Sequence, residues 1–162
     1  MPHFAAVLTQ SDDGWAGREI DMEGVEDLDT LVEQLRDIAE GRTAFFFLEE
    51  DDEYLAIVRV DGDGDPRTFI SDDRAVGTSS LAALLMEDVA PPEEAESEDE
   101  DDEGTRPDAE VAGDTEIVAS LGVPSKKLVE LCSTEGMLPG DIVTAICEKA
   151  GCADALDELR EA

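Results

Sequence analysis

The chain has one histidine, one tryptophan, one tyrosine and three cysteines in 162 residues. A lone imidazole, His3, leaves a histidine-built metal centre or a catalytic triad with almost nothing to be assembled from. The cysteines, Cys132, Cys147 and Cys152, are odd in number and have no C-x-x-C spacing. They exclude a disulfide framework and a zinc ribbon, and read as small buried hydrophobes. Basic residues are scarce too: 11 Lys and Arg stand against 44 Asp and Glu, a net charge of -33. Such a chain repels phosphate backbones, so direct nucleic-acid binding is excluded first. No apolar run approaches the roughly 20 residues that cross a bilayer. Phe4–Leu8 has no Lys or Arg ahead of it, unlike a signal peptide. The expectation is a soluble cytoplasmic protein.

What is present divides by charge. Residues 1–89 carry 23 acidic and 6 basic side chains, residues 90–113 carry 11 and 1, and residues 114–162 carry 10 and 4. The middle segment opens on Pro91-Pro92 and runs through Glu98-Asp99-Glu100-Asp101-Asp102-Glu103 with hardly an apolar side chain. Like charges extend it, and nothing offsets the entropy of ordering it. It reads as a disordered acidic linker between an α+β sheet domain, 1–89, and a small helical module, 114–162.

In the first part the hydrophobic period switches between two and 3.6. Phe4 to Thr9 alternates, a polar turn follows at Ser11–Gly14, and Trp15–Ile20 pairs back as a hairpin arm. Leu28, Leu31, Val32, Leu35, Ile38 and Ala39 make one helical stripe, with Asp27 placed to cap it and Gly41 to end it. Ala44–Leu48 and Tyr54–Val60 read as strands joined through a wholly acidic tip, Glu49, Glu50, Asp51, Asp52 and Glu53. A short strand Arg67–Ile70 and a helix near Ser79–Met86 close the domain. The order β-β-α-β-β-β-α predicts a mainly antiparallel sheet with helices on one side. The last 49 residues are helical in pattern, with Pro124, Pro139 and Gly151 as punctuation, and too few to be stable alone. They are expected to dock on the sheet or on a partner.

Candidate chemistry is thin. Asp61, Asp63 and Asp65 have the spacing of the first calcium-loop ligands, but Pro66 stands where that loop needs glycine and Asp72 where it needs glutamate. A Gly- and Asp-rich turn accounts for them. Paired carboxylates are too numerous to mean anything individually. No nucleophile elbow, phosphate-binding loop or dinucleotide fingerprint occurs, and the helix pair Ser125–Cys132 and Pro139–Lys149 is too acidic for a DNA-binding helix-turn-helix. No catalytic residue, metal ligand or cofactor is expected.

The runs Phe4–Leu8, Leu48–Gly62 and Leu121–Pro124, with Leu131-Cys132 and Leu138–Gly140, are similar to the actinobacterial tRNA adenosine deaminase-associated protein family. The family name implies association with that deaminase, and the family supplies no catalytic residues to carry over. What the resemblance implies is a non-catalytic accessory or regulatory protein. Charge gives this content: an anionic surface is drawn to the basic surface of a tRNA-gripping enzyme. The tip Glu49–Glu53 is the partner-binding candidate, with no contact to nucleic acid or membrane. Two alternatives fit the same charge: a nucleic-acid mimic directed at another basic protein, and acidity that only aids solubility.

Overall fold

The computed structural model describes residues 3–11, 14–20, 25–50, 54–61, 66–71, 80–85, 111–133 and 138–161. It begins with a hairpin of β1 (His3–Ser11) and β2 (Gly14–Glu19), in which Leu8 faces Gly17. Strand β3 (Thr43–Glu50) pairs with the other side of β1, placing Phe46 opposite Val7. β2 and β3 therefore run in the same direction, and the chain must cross over between them. Helix α1 (Leu28–Ala39) makes that crossover.

The ends of α1 follow from its sequence. The Asp27 carboxylate accepts from the Thr30 backbone N–H at 2.9 Å and from Thr30 Oγ1 at 2.7 Å, satisfying an N-terminal donor that lies before the first intrahelical bond. At the other end the left-handed turn begins one residue before the expected glycine: Glu40 has φ 53° and Gly41 φ 89°.

Strands β4 (Tyr54–Asp61) and β5 (Arg67–Ile70) continue the antiparallel ladder, with Phe47 facing Ile57 and Ile57 facing Phe69. Helix α2 (Ser80–Leu85) follows. The chain then returns to the sheet, because β6 (Ala112–Gly113) pairs with β5. The order is β2-β1-β3-β4-β5-β6. These two residues fall inside the segment 90–113 that composition assigns to a linker. β6 consists of backbone pairing by two small residues, a signal that hydrophobic pattern does not carry. A 3-10 turn (Ala119–Leu121) leads to α3 (Ser125–Ser133), α4 (Pro139–Ala150) and α5 (Ala153–Glu161).

The sheet is covered on both faces. Ala5, Val7, Phe46, Leu48, Ala56, Val58 and Ile70 point to one face, where α1 contributes Leu28, Leu31, Val32 and Leu35, and α2 contributes Ala82 and Leu85. This is the single helical side that the sequence predicts. Leu8, Phe45, Phe47, Leu55, Ile57 and Phe69 point the other way. Against them pack Ile117, Val118 and Val123 around the turn, Leu128 of α3, Ile142, Val143 and Ile146 of α4, and Leu156 of α5. The two helices of the first part thus share one side as expected, and the C-terminal helices take the first of the two docking places expected for them, so that the α+β sheet is enclosed on both faces. The physical reason lies in β3: Ala44–Leu48 is apolar at every position, and a strand without alternation has two faces to bury. Each fully buried large apolar side chain contributes about 1.5–3 kcal/mol, so an uncovered second face would be costly.

Candidate functional site

The polar chemistry among the described residues gathers where the C-terminal segment meets the sheet. Arg59 stands on β4 on the second face. Its Nε donates to Asp61 Oδ1 at 3.0 Å, and its Nη1 donates to the Ile117 carbonyl and to Ser120 Oγ, each at 3.1 Å. The guanidinium carbon lies 5.1 Å from the centre of the Phe45 ring. Phe45 in turn has Trp15 tilted against it at 6.2 Å, and Trp15 Nε1 donates to the Ala150 carbonyl at 3.3 Å. A planar, multiply donating cation on an aromatic face is a combination that arginine supplies and lysine does not.

Asp61 is held in the same seam. Burial, the largest single influence, pushes its carboxyl upward, but the hydrogen bond from Thr43 and the hydrogen bond and charge of Arg59, with the charge of Arg67, outweigh it. The carboxyl therefore lies below the ordinary value. Thr43 Oγ1 is 2.9 Å away, and Arg67 meets Asp114 at 3.5 Å beside β6. Asp61, the first residue of the calcium-like spacing, is thus committed to Thr43 and Arg59. Asp63 and Asp65 lie outside the described residues. Among the described residues no group of three His, Cys, Asp or Glu side chains could hold a metal ion. These contacts tie the C-terminal segment to the sheet.

The acidic hairpin is divided by the structure. Glu49 is a residue of β3, opposite Leu55 and beside Phe4, and only 9 % exposed. It belongs to the strand that the sequence ends at Leu48, and its side chain is turned into the protein. The backbone of Glu50 closes the ladder opposite Tyr54. Asp51, Asp52 and Glu53 lie outside the described residues.

A second acidic feature was missed. Asp29, Glu33 and Asp37 are exposed along α1. At i, i+4 and i+8 they form one ridge on the side away from the core. Glu26, Asp27 and Glu40 are exposed at its two ends. The signal was available, since the apolar stripe of α1 fixes which residues must face outward.

The cysteines fill core positions. Cys147 and Cys152 are buried and Cys132 is half-buried, its thiol pushed up to about 12 by burial. The backbone of His3 lies in β1, opposite Glu50. Among the described residues no helix is long and apolar enough to cross a membrane.

Comparison with known proteins gives two findings. The family described as Rv3753c-like tRNA adenosine deaminase-associated protein matches this chain over residues 3–153. Protein Rv3753c of Mycobacterium tuberculosis (strain ATCC 25618 / H37Rv) is 24% identical over 156 residues, covering 96% of this chain and 86% of that protein. No solved structure gives a significant match.

Proposed function

This chain belongs to the Rv3753c-like tRNA adenosine deaminase-associated protein family, and we propose that it acts there as a non-catalytic, cytoplasmic accessory protein that binds a basic partner through carboxylates. The family description makes a tRNA adenosine deaminase the first partner to consider. The observation that carries the reading is the excess of 44 acidic over 11 basic residues, together with the exposed ridge Asp29, Glu33 and Asp37 on a helix whose other face is buried.

An enzyme that grips tRNA must present cations to phosphates. A surface of the opposite sign meets those cations quickly and in a salt-sensitive way. The ridge and the hairpin residues Glu50, Asp51, Asp52 and Glu53 are the proposed contacts. Glu49, turned inward, supports the strand beneath them.

The test is direct binding of the full chain to the tRNA adenosine deaminase of the same host, by calorimetry at low and at physiological ionic strength. A complex that weakens steeply with salt is expected, because exposed charges are screened beyond about 10 Å at 0.1 M. Absence of a complex at low ionic strength overturns the proposal. Capture of a different basic protein, with no affinity for the deaminase, supports the nucleic-acid mimic instead.

A further inference from the structure

The cysteines are nucleophiles to which the reading above gives no task, and two of them share one corner. Cys147 lies near the end of α4, Cys152 directly precedes α5, and both sit in the second core at 0 % and 1 % exposure. Helix α4 ends where Gly151 turns left-handed at φ 89°. The Cys147 carbonyl then accepts from the N–H groups of both Gly151 and Cys152, each at 2.8 Å. This Schellman-type ending brings the side chains of those two helix-end positions together, ordinarily as an apolar contact. Here both positions are cysteines, and side-chain hydrogen bonding from Cys147 draws the Cys152 thiol below its ordinary value. Cys132 lies on α3, outside these two helix-end positions.

We infer that Cys147 and Cys152 are a reversible oxidation site, closing to a disulfide across the α4–α5 corner when the chain meets hydrogen peroxide. The Cys152 thiolate attacks one peroxide oxygen. The O–O bond breaks, the Cys152 sulfur becomes a sulfenic acid, and the released hydroxide takes up the proton that Cys152 gave off, forming water. The Cys147 sulfur then attacks that of Cys152. The S–S bond forms, the S–O bond breaks, and the hydroxyl leaves as a second water with the Cys147 proton. Two thiols have lost two protons and two electrons, and one peroxide has become two waters.

Cys152 is the attacking sulfur because the hydrogen bond from Cys147, with a further one from its own backbone, favours its thiolate over the opposing effect of burial. Closure draws the sulfurs from hydrogen-bond contact to about 2 Å. The adjoining Ala150 carbonyl, which accepts from Trp15 Nε1, reports the movement on the chain's one tryptophan.

The experiment treats the reduced full chain with hydrogen peroxide, blocks remaining thiols with N-ethylmaleimide under denaturing conditions, and maps tryptic peptides by mass spectrometry. Trypsin cuts after Lys127, Lys149 and Arg160, so Cys132 and Cys147 share one peptide and Cys152 lies in the next. The expected result is a linked pair of these peptides, joined at Cys147 on fragmentation, that dithiothreitol separates again. The same link forms in Cys132→Ser. Trp15 fluorescence changes reversibly on oxidation in the parent and stays constant in Cys152→Ser. Recovery of Cys147 and Cys152 both blocked by maleimide, or a link made through Cys132, overturns the inference. Because the mapping uses the unaltered chain, it stands even if a variant folds poorly.

Discussion

Arg59 Nη1 donates at 3.1 Å to the carbonyl of Ile117, a residue 58 positions later in the chain, while the same guanidinium lies over the ring of Phe45. One side chain thus joins the middle strands to the segment that follows the acidic stretch. Arg59→Ala removes the cation and leaves Asp61 and the Ile117 carbonyl without their partner in a half-buried seam. The expected cost is about 1.5–3 kcal/mol, the range for hydrogen bonds to charged groups. Arg59→Lys recovers little of it, since an ammonium cannot span Asp61, Ile117 and Ser120 while stacking on Phe45. Urea denaturation of both variants is the check, and a lysine variant as stable as the parent would refute the role given to guanidinium geometry.

Two glycines should respond differently to alanine. A methyl group at Gly17 would meet Leu159 Cδ1 at 2.8 Å and Leu8 Cδ2 at 2.9 Å, both ends of flexible side chains that can give way. At Gly113 it would meet the backbone of the neighbouring strand, the Thr68 carbonyl oxygen and Phe69 Cα at 2.9 Å, from a residue with φ 92°. Backbone cannot yield as a leucine methyl does, and the left-handed conformation adds strain. Gly17→Ala should cost less than about 1.5 kcal/mol and Gly113→Ala at least about 2 kcal/mol. Thermal denaturation of the pair decides the ranking, and hydrogen exchange at β5 and β6 should rise in Gly113→Ala alone.

Glu40 holds φ 53° without being a glycine, at the end of α1. A side chain in this region costs roughly 1–2 kcal/mol, partly offset for glycine by the greater entropy of its unfolded chain. Glu40→Gly should therefore stabilise the protein by roughly 0.5–1 kcal/mol, read as a higher urea midpoint with an unchanged slope. A lower midpoint would mean that the carboxylate of Glu40 contributes more than its backbone conformation costs.

How far the sequence spoke for this structure depends on which physical signal each element carries. Helix α1 and β1 were legible because their apolar residues repeat at the period of the element, and β3 and β4 because they are β-rich apolar runs bounded by polar turns. The short strand Arg67–Ile70 was read at the limits it has in the structure. β6 was illegible because Ala112 and Gly113 bury no large side chain and enter the sheet through backbone bonds alone. The second covered face was half legible: the unbroken run Ala44–Leu48 implied it, and the helical pattern after residue 114 supplied something to cover it with, but no local rule says where a distant segment docks. Glu49 was assigned to a solvated tip because charge type dominated the reading. In the ladder it occupies a strand position facing Leu55, and burial follows from that register. Arg59 was not read as a tie to the C-terminal segment, since its partners Ile117 and Ser120 become neighbours only when the chain folds.

Two carboxylates set an acid limit on stability. Asp27 lies below its ordinary value of 3.8, first because of the hydrogen bond from the Thr30 side chain and then that from the Thr30 backbone, against a small opposing effect of desolvation. Asp61 is lowered as well, the bonds from Thr43 and Arg59 overcoming burial. A folded-state value below the unfolded one means stability fully present above pH 3.8 and lost as the pH falls through the lower, folded values. The advantage of the parent over Asp61→Asn should hold at neutral pH and shrink below about pH 4, with Asp27→Asn following the same course more weakly because asparagine still caps a helix. Measuring differences between parent and variant cancels the titration of the many other acids. An advantage that grows as the solution is acidified would reverse the sign argued here.

The proposed contact and mere solubility diverge at Asp29, Glu33 and Asp37. Replacing them together by Asn, Gln and Asn removes three exposed charges from α1 without touching its buried stripe of Leu28, Leu31, Val32 and Leu35. The loss of one favourable charge in the first turn, worth about 0.3–1 kcal/mol, is offset by relief of like-charge repulsion at i, i+4 spacing, so the unfolding midpoint should barely move. Binding to a basic partner should move, because exposed ion pairs of roughly 0.2–1 kcal/mol each, lost three at a time, amount to about tenfold in affinity at low salt. The same substitutions should lower the salt sensitivity of what binding remains, since fewer charges are left to screen. If affinity and salt dependence are both unchanged while a variant neutralised at Glu50, Asp51, Asp52 and Glu53 binds more weakly, the hairpin alone carries the contact. If neither set matters, the acidity of this chain serves its solubility and the anionic docking surface is refuted.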